Sequence, residues 1–122
     1  MNKIKLILLF ILTPLILISC GEAKKQSVND LQDDIVYFFY QDGCPHCHYA
    51  DEYIKKAYPD LKMERVNIAA PRGFELFVQC VRKFKLGDKV GTPLFCMGNN
   101  YVMGWSSALQ QKLDNQLKKF AK

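Results

Sequence analysis

The stretch IVYFFYQDGCPHC, residues 35–47, contains a predicted strand and a predicted helix start around two cysteines. Residues 35–40 are β-branched and aromatic without alternation, which is typical of a strand buried on both faces of a sheet. Pro45 suits the first turn of a helix, because its missing N–H would have no intrahelical partner there. The stretch therefore predicts a buried strand, a short turn and a helix whose first turn carries Cys44 and Cys47.

The residues that follow supply the remaining elements of a small domain. The predicted elements, in chain order, are a helix over 45–58, a strand over 62–68, a helix over 71–87, strands over 94–97 and 101–103, and a helix from Ser106 or Ser107 to 120. Strands joined through a helix are expected to be parallel, and the hairpin around residues 98–100 adds an antiparallel pair. The expected fold is one α/β domain of order β-α-β-α-β-β-α, with a four-stranded mixed sheet flanked by helices.

Apolar residues at helical spacing mark the helix faces that are expected to pack against the sheet. These faces consist of Cys47, Ala50, Ile54 and Ala57 in the first helix, of Phe74, Phe77, Val78, Val81 and Phe84 in the second, and of Leu109, Leu113, Leu117 and Phe120 in the last. Cys44 lies off the first of these faces and is expected to be exposed.

The first twenty residues differ from the rest of the chain. A short basic start precedes an apolar run over 6–18, which has the length of a signal-peptide segment and is too short to cross a bilayer comfortably. The run ends in LISC, which resembles the lipobox of bacterial lipoproteins. The resemblance implies a signal peptide over 1–19 and a lipidated Cys20. Residues 21–34 are polar with few large apolar residues, which predicts a flexible tether, so the lipidated cysteine and its tether cover 20–34 and the folded domain covers 35–122. The alternative is an ordinary signal or anchor with an incidental cysteine.

The cysteine count supports export. The chain of 122 residues carries five cysteines and a formal net charge of +5 at pH 7. With Cys20 assigned to lipid, four cysteines remain, an even number that suits a disulfide-permissive compartment. Basic residues form no stripe with interleaved aromatics, so nucleic acid is not an expected partner. The expected location is extracytoplasmic, anchored to a membrane through lipid, on the periplasmic side in a Gram-negative cell.

The motif Cys44-Pro45-His46-Cys47 carries the chemistry expected of the chain. A thiol at a helix start lies near unpaired N–H groups and the positive end of the helix dipole, which favour the thiolate. The two intervening residues put the second sulfur one turn further on, close enough to resolve a mixed disulfide. We expect Cys44 to be the exposed nucleophile, Cys47 to be the inward resolving thiol, and His46 beside Pro45 to tune the Cys44 thiolate.

This motif follows an aromatic strand, and Gly91-Thr92-Pro93 opens a later strand. On these features the chain resembles the thioredoxin superfamily over roughly residues 35–120, and its compact order of elements is most similar to glutaredoxins. The resemblance implies that Thr92–Pro93 is the cis-proline loop facing the CXXC pair, with the Thr92 backbone offered to an extended substrate peptide. It also implies a thiol–disulfide oxidoreductase with protein thiol or disulfide substrates, a separate redox partner, no cofactor and no metal.

The residues between and after the cysteines refine the resemblance. Pro45-His46 is similar to the dipeptide of Dsb-type periplasmic oxidases, which implies an oxidising couple. The chain has no large helical insertion, so the full Dsb-type architecture is not expected. Residues 104–107 (GWSS) lack the Gly-Gly and acidic residues that glutaredoxins use for glutathione, so glutathione binding is not expected.

Other functions stay open at this stage. Cys44, Cys47 and His48 formally match the CxxCH attachment motif of c-type haem. The same residues with His46 offer thiolate and imidazole ligands suited to copper(I) or zinc, as in a metal carrier. A binding module without turnover and a disulfide reductase fed by a membrane donor are further alternatives.

The remaining cysteines and aromatic residues are less informative. Cys80 and Cys96 allow a structural disulfide, a second redox pair or two buried free thiols, because their separation in space cannot be read from the sequence. Tyr49, Tyr53 and Trp105 are expected to pack in the core or at its rim rather than to form a ligand platform.

Overall fold

The computed structural model describes residues 30–121. Its elements are β1 Val36–Tyr40, α1 Pro45–Ala57, β2 Met63–Asn67, α2 Pro71–Lys83, β3 Leu94–Met97, β4 Asn100–Met103 and α3 Ser107–Leu117. The predicted order β-α-β-α-β-β-α is confirmed, and each predicted element is present within a few residues of its expected bounds.

The strands form one sheet in the order β2-β1-β3-β4. β1 pairs in parallel with β2 and antiparallel with β3, and β3 pairs antiparallel with β4. The first four residues of β1 are buried, as expected of a central strand with both faces covered. The predicted four-stranded mixed sheet is therefore confirmed, with β1 pointing its C-terminal end at the CXXC motif.

Two apolar layers cover the sheet. On one face α1 and α3 pack against side chains such as Phe38 and Phe95, whose rings stack with centroids 4.9 Å apart. On the other face α2 packs against Phe39, whose ring forms a T-shaped contact with the Phe77 ring, with centroids 5.7 Å apart. The parallel β1–β2 pair places the N-terminal ends of α1 and α2 at the same edge of the sheet.

The buried faces of two helices differ from the expected ones. In α1 the side chains of Cys47, Ala50 and Ile54 are buried as expected, but Ala57 is exposed at the helix end. In α2 the buried residues are Gly73, Leu76, Phe77 and Cys80, whereas Phe74 is 53% exposed and Val78 and Val81 are only partly buried.

Gly73 accounts for the difference between the expected and the observed buried face of α2. A Cβ atom at this position would collide with the backbone carbonyl oxygen of Asn67. The first turn of α2 therefore lies directly against the end of β2 along its glycine, and this contact turns Phe74 outward. The expectation that Phe74 belongs to the core is wrong for this reason.

The residues immediately before β1 contact the folded domain. The backbone N–H of Leu31 donates to Gln79 Oε1 at 3.1 Å, and that of Gln32 donates to the Tyr37 hydroxyl at 2.9 Å. Asp33 forms an ion pair with Lys83 at 2.7 Å. Contacts with the domain thus begin before residue 35, the residue at which the sequence predicts that the tether gives way to the folded domain. The predicted signal peptide and Cys20 lie outside the described residues, and no helix in residues 30–121 is long and apolar enough to span a membrane.

Candidate active site

Cys44 is the N-cap of α1. Its backbone is extended, and its Sγ accepts a hydrogen bond from the backbone N–H of Cys47 at 3.2 Å. Pro45 occupies the first turn, as expected of a residue that lacks an N–H. The sequence thus places a sulfur where a helix start offers donors and partial positive charge, an environment that favours a thiolate once the sulfur is reduced.

The sulfur atoms of Cys44 and Cys47 lie at disulfide-bonding distance, with Cα atoms 5.2 Å apart. The side chain of Cys47 is 4% exposed, whereas Cys44 is half-buried and reaches the surface. The inward helical phase expected for Cys47 is confirmed. An incoming thiolate can therefore approach Cys44 Sγ far more readily than Cys47 Sγ.

The Thr92–Pro93 peptide bond is cis, as predicted. The Thr92 hydroxyl donates to Cys44 Sγ at 3.6 Å, and the Thr92 carbonyl oxygen lies 3.8 Å from the same sulfur. The loop before β3 therefore faces the CXXC pair, although Thr92 lies 48 positions after Cys44 in the chain. A hydroxyl donor at this point would stabilise negative charge on the sulfur.

Both histidines of the motif are exposed. Within residues 30–121, the hydrogen bonds to Cys44 Sγ come from Cys47 and Thr92, and none comes from the imidazole of His46. The predicted influence of His46 on the thiolate would thus act through charge. Within the same residues, no group of three or more His, Cys, Asp or Glu side chains is placed to hold a metal ion.

A cleft of about 310 Å³ opens beside the disulfide. Asp51 and Arg65 line it with Cys47, and the Arg65 Nε donates to Asp51 Oδ1 at 2.6 Å. Partial burial opposes ionisation of Asp51, but hydrogen bonds from Lys55 and Arg65 outweigh it and hold the pKa of this carboxyl below its usual range. The sequence did not predict the ion pair between Asp51 and Arg65. The i, i+4 spacing of Asp51 and Lys55 indicates only that Asp51 can form an ion pair on its own helix.

No protein-family model and no curated protein sequence matches the chain. Among solved structures, buckwheat glutaredoxin in complex with glutathione matches with a TM-score of 0.50 and 13% identity, over 70% of this chain and 74% of that one. The chain has a thioredoxin-like fold. A mutated buckwheat glutaredoxin matches with a TM-score of 0.49 and 11% identity over 70% and 74% of the two chains. Oxidised thioredoxin O1 from Arabidopsis thaliana matches with a TM-score of 0.43 and 22% identity over 72% and 78%.

The second cysteine pair lies on the opposite face of the thioredoxin-like sheet. Cys80 on α2 and Cys96 on β3 are 0% and 3% exposed, with their sulfurs at bonding distance and their Cα atoms 6.4 Å apart. A disulfide spans Cα separations of 4.4–6.8 Å. The geometry thus brings the two cysteines together, and their burial keeps both away from solvent.

The aromatic residues near the site divide into packed and exposed ones. Tyr53 packs against Trp105, with ring centroids 5.6 Å apart, as expected at the rim of the core. Tyr49 is 62% exposed, so the expectation that it packs in the core or at its rim is wrong. It stands on the outer side of α1, two residues after the buried Cys47.

A polar cluster joins α1, the helix that begins at the CXXC pair, to α3. The hydroxyls of Tyr53 and Tyr58 both donate to the Asp114 carboxylate, at 2.8 and 2.7 Å. Burial and the adjacent carboxylate raise the pKa of both phenols above the ordinary value. The cluster was not predicted, because nothing in the sequence aligns α1 with a residue about sixty positions later.

The tyrosine cluster predicts a pH dependence of stability. A raised folded-state pKa means that its stabilisation is complete below about pH 10, the ordinary phenol value, and is lost as the pH rises through the raised pKa. We expect Asp114→Asn to cost about 1 kcal/mol at neutral pH and to shift tyrosinate formation to lower pH, as followed by ultraviolet absorbance. Asp88→Asn, on the loop between α2 and β3, is the matched control. An unchanged alkaline titration in Asp114→Asn would contradict the cluster.

Proposed function

We propose that this protein is a thiol–disulfide oxidoreductase that exchanges disulfides with protein substrates through Cys44 and Cys47 and acts as an oxidant. The observation that supports this function best is the asymmetric pair at the start of α1, in which an accessible sulfur and a buried one lie at bonding distance. The Thr92 loop, which offers a hydroxyl to Cys44, supports it further.

The geometry supports a two-step exchange in the oxidising direction. A substrate thiolate attacks Cys44 Sγ, the bond between Cys44 and Cys47 breaks, and the released Cys47 thiolate takes up a proton. A second substrate thiolate then attacks the substrate sulfur of the mixed disulfide, and Cys44 leaves as a thiolate. The substrate loses two electrons and gains a disulfide, while the protein gains the two electrons as a dithiol. A redox partner must then reoxidise that dithiol.

The surroundings of Cys44 would stabilise its thiolate, which favours Cys44 as the sulfur that the substrate attacks and that later leaves. As a thiolate it would keep the hydrogen bonds from the Cys47 N–H and the Thr92 hydroxyl, and it would lie at the positive end of α1. Stabilising the reduced form in this way makes a couple more oxidising.

Turnover tests this function directly. The mature protein, supplied with glutathione disulfide as terminal oxidant, is expected to oxidise a reduced unfolded protein with many turnovers per molecule. Cys44→Ser is expected to show none, while Asp114→Asn, which leaves both sulfurs in place, is expected to keep the rate. Stoichiometric binding without turnover would favour a binding module. Copper or zinc retained in stoichiometric amounts on the CXXC motif would favour a metal carrier.

We further propose that Cys20 is lipidated and anchors the domain outside the cytoplasm. The LISC sequence after a short apolar run supports this placement. Stable anchoring needs two or more acyl chains, because one chain binds a membrane only marginally. Mass spectrometry of the membrane-bound protein is expected to show acylated Cys20 as the first residue, and Cys20→Ala is expected to release the protein from membranes. An unmodified Cys20 in membrane-bound protein would rule out the anchor.

A further inference from the structure

Two large apolar side chains stand out on the surface of residues 30–121. Tyr49 is 62% exposed and Phe74 is 53% exposed, and within this part of the chain they are the large hydrophobic residues that the fold leaves most open to solvent. Both lie at the sheet edge that carries Cys44, because α1 and α2 begin at the same edge. Aromatic residues are enriched at protein interfaces, so two exposed ones near the reactive sulfur are candidate contacts for a bound partner.

Three shallow concavities connect these two residues. Their volumes are about 320, 310 and 390 Å³. The first is lined by Tyr49 and shares Gly43 and Cys44 with the second, and the second shares Gln41 and Asp42 with the third, which is lined by Phe74. Because neighbouring concavities share lining residues, they lie side by side in a row that passes the disulfide, and this row is called the Tyr49–Phe74 groove.

We propose that the Tyr49–Phe74 groove binds an extended segment of the protein substrate, with an apolar side chain on each side of the substrate cysteine. This inference rests on the proposed function and adds the substrate class. Each concavity alone has the size of a small-ligand site, so three in a row accommodate several residues rather than one small thiol. The groove runs past the turn before α1, a different direction from the Thr92 loop on which the family resemblance placed substrate binding.

The charged residues between Tyr49 and Phe74 indicate how the middle of a bound substrate segment would lie. Asp42 is exposed and accepts a hydrogen bond from Asn67 Nδ2 at 3.3 Å, and Asp51 is already engaged by Arg65 and Lys55. The free acceptor capacity of Asp42 faces the groove and suits backbone N–H groups of an extended chain. Apolar contacts at both ends and polar contacts between them hold a segment whose cysteine lies over Cys44.

The test compares substrates that differ only beside the cysteine. Two reduced peptides are used with the mature protein, one with leucine or phenylalanine on both sides of its cysteine and one with glycine and serine there, and a small monothiol serves as a third substrate. Tyr49→Ser and Phe74→Ser are each expected to lower kcat/KM for the apolar peptide about tenfold. The glycine–serine peptide and the monothiol are expected to stay within about twofold. Glu52→Ser and Glu75→Ser, exposed neighbours on the same two helices, are the matched controls.

The possible outcomes distinguish a failure of this inference from a failure of the proposed function. Equal losses for both peptides, or no loss for either, would overturn the groove while leaving the oxidoreductase intact. A wild-type protein inactive toward all three substrates would overturn the proposed function itself. A dimer that dissociates in Tyr49→Ser and Phe74→Ser would show that the groove binds a second copy of this chain, which would also overturn the inference. Tyr49→Leu and Phe74→Leu keep apolar side chains and are expected to retain at least half of the wild-type kcat/KM for the apolar peptide.

Discussion

Cys47→Ser is expected to accumulate covalent mixed disulfides with substrate proteins, and Cys44→Ser is expected to accumulate none. In the reverse direction of the proposed exchange, the Cys44 thiolate attacks a substrate disulfide, and the buried Cys47 then displaces the substrate from Cys44, a step that serine cannot perform. Turnover should fall at least about a thousandfold in either variant, since removing a nucleophile or its partner costs on that order. Nonreducing electrophoresis followed by mass spectrometry of the trapped species measures both.

The double variant Cys44→Ser with Cys47→Ser is the control for adventitious disulfides. The remaining cysteines of the domain, Cys80 and Cys96, are buried and should trap nothing. Equal trapping by the two single variants would contradict the assignment of Cys44 as the attacked sulfur. Trapping through Cys47 alone would reverse the assignment.

Cys80→Ala is expected to lower the free energy of unfolding by about 3 kcal/mol. The two cysteines are 16 positions apart, and a cross-link that closes a loop of about this length contributes roughly that amount by constraining the unfolded chain. The loop joins α2 to β3, so the bridge holds a helix of one layer against a strand of the sheet. Urea denaturation of the oxidised protein measures the loss.

The pattern across single and double variants distinguishes a bridge from two free thiols. If the disulfide forms, Cys80→Ala, Cys96→Ala and the double variant all break the same bond and should be destabilised about equally. Two unbonded thiols would each lose only packing, about 1 kcal/mol, and the two losses would add. Additive small losses would therefore overturn the bridge. Disulfide-exchange activity is expected to stay within about twofold in all three variants.

The fold was predictable because its signals are local. The aromatic run of β1, the proline at the start of α1 and the Gly98-Asn99-Asn100 turn of the hairpin each specify one element from neighbouring residues. The order of these elements leaves few ways to cover a central strand on both faces. The CXXC pair and the Thr92–Pro93 loop were expected to face each other through resemblance, and the 3.6 Å contact between the Thr92 hydroxyl and Cys44 Sγ agrees with that expectation.

The rotation of α2 and the polar contacts could not be predicted from patterns. The apolar spacing of α2 allows either of two neighbouring helix faces to be buried against the sheet. Gly73 decides which face is buried, and a pattern of apolar side chains does not reveal this, because glycine has no side chain. The ion pair of Asp51 with Arg65 joins a helix to a strand, and Asp114 meets Tyr53 across sixty-one positions. Such contacts depend on how distant helices and strands are placed relative to one another, and the sequence immediately around each residue does not determine that placement.

The reduction potential of the Cys44–Cys47 couple tests the central claim most directly. The protein is equilibrated in glutathione buffers of graded potential, and the free thiols are alkylated and assigned by mass spectrometry. We expect one two-electron transition at Cys44 and Cys47, more oxidising than the about −270 mV of thioredoxin and shifted toward the about −120 mV of DsbA. His46→Tyr is expected to make the couple more reducing, while Cys80 and Cys96 stay oxidised throughout. A potential at or below that of thioredoxin, unmoved by His46→Tyr, would contradict the oxidising role, and the absence of any transition at Cys44 and Cys47 would contradict the oxidoreductase itself.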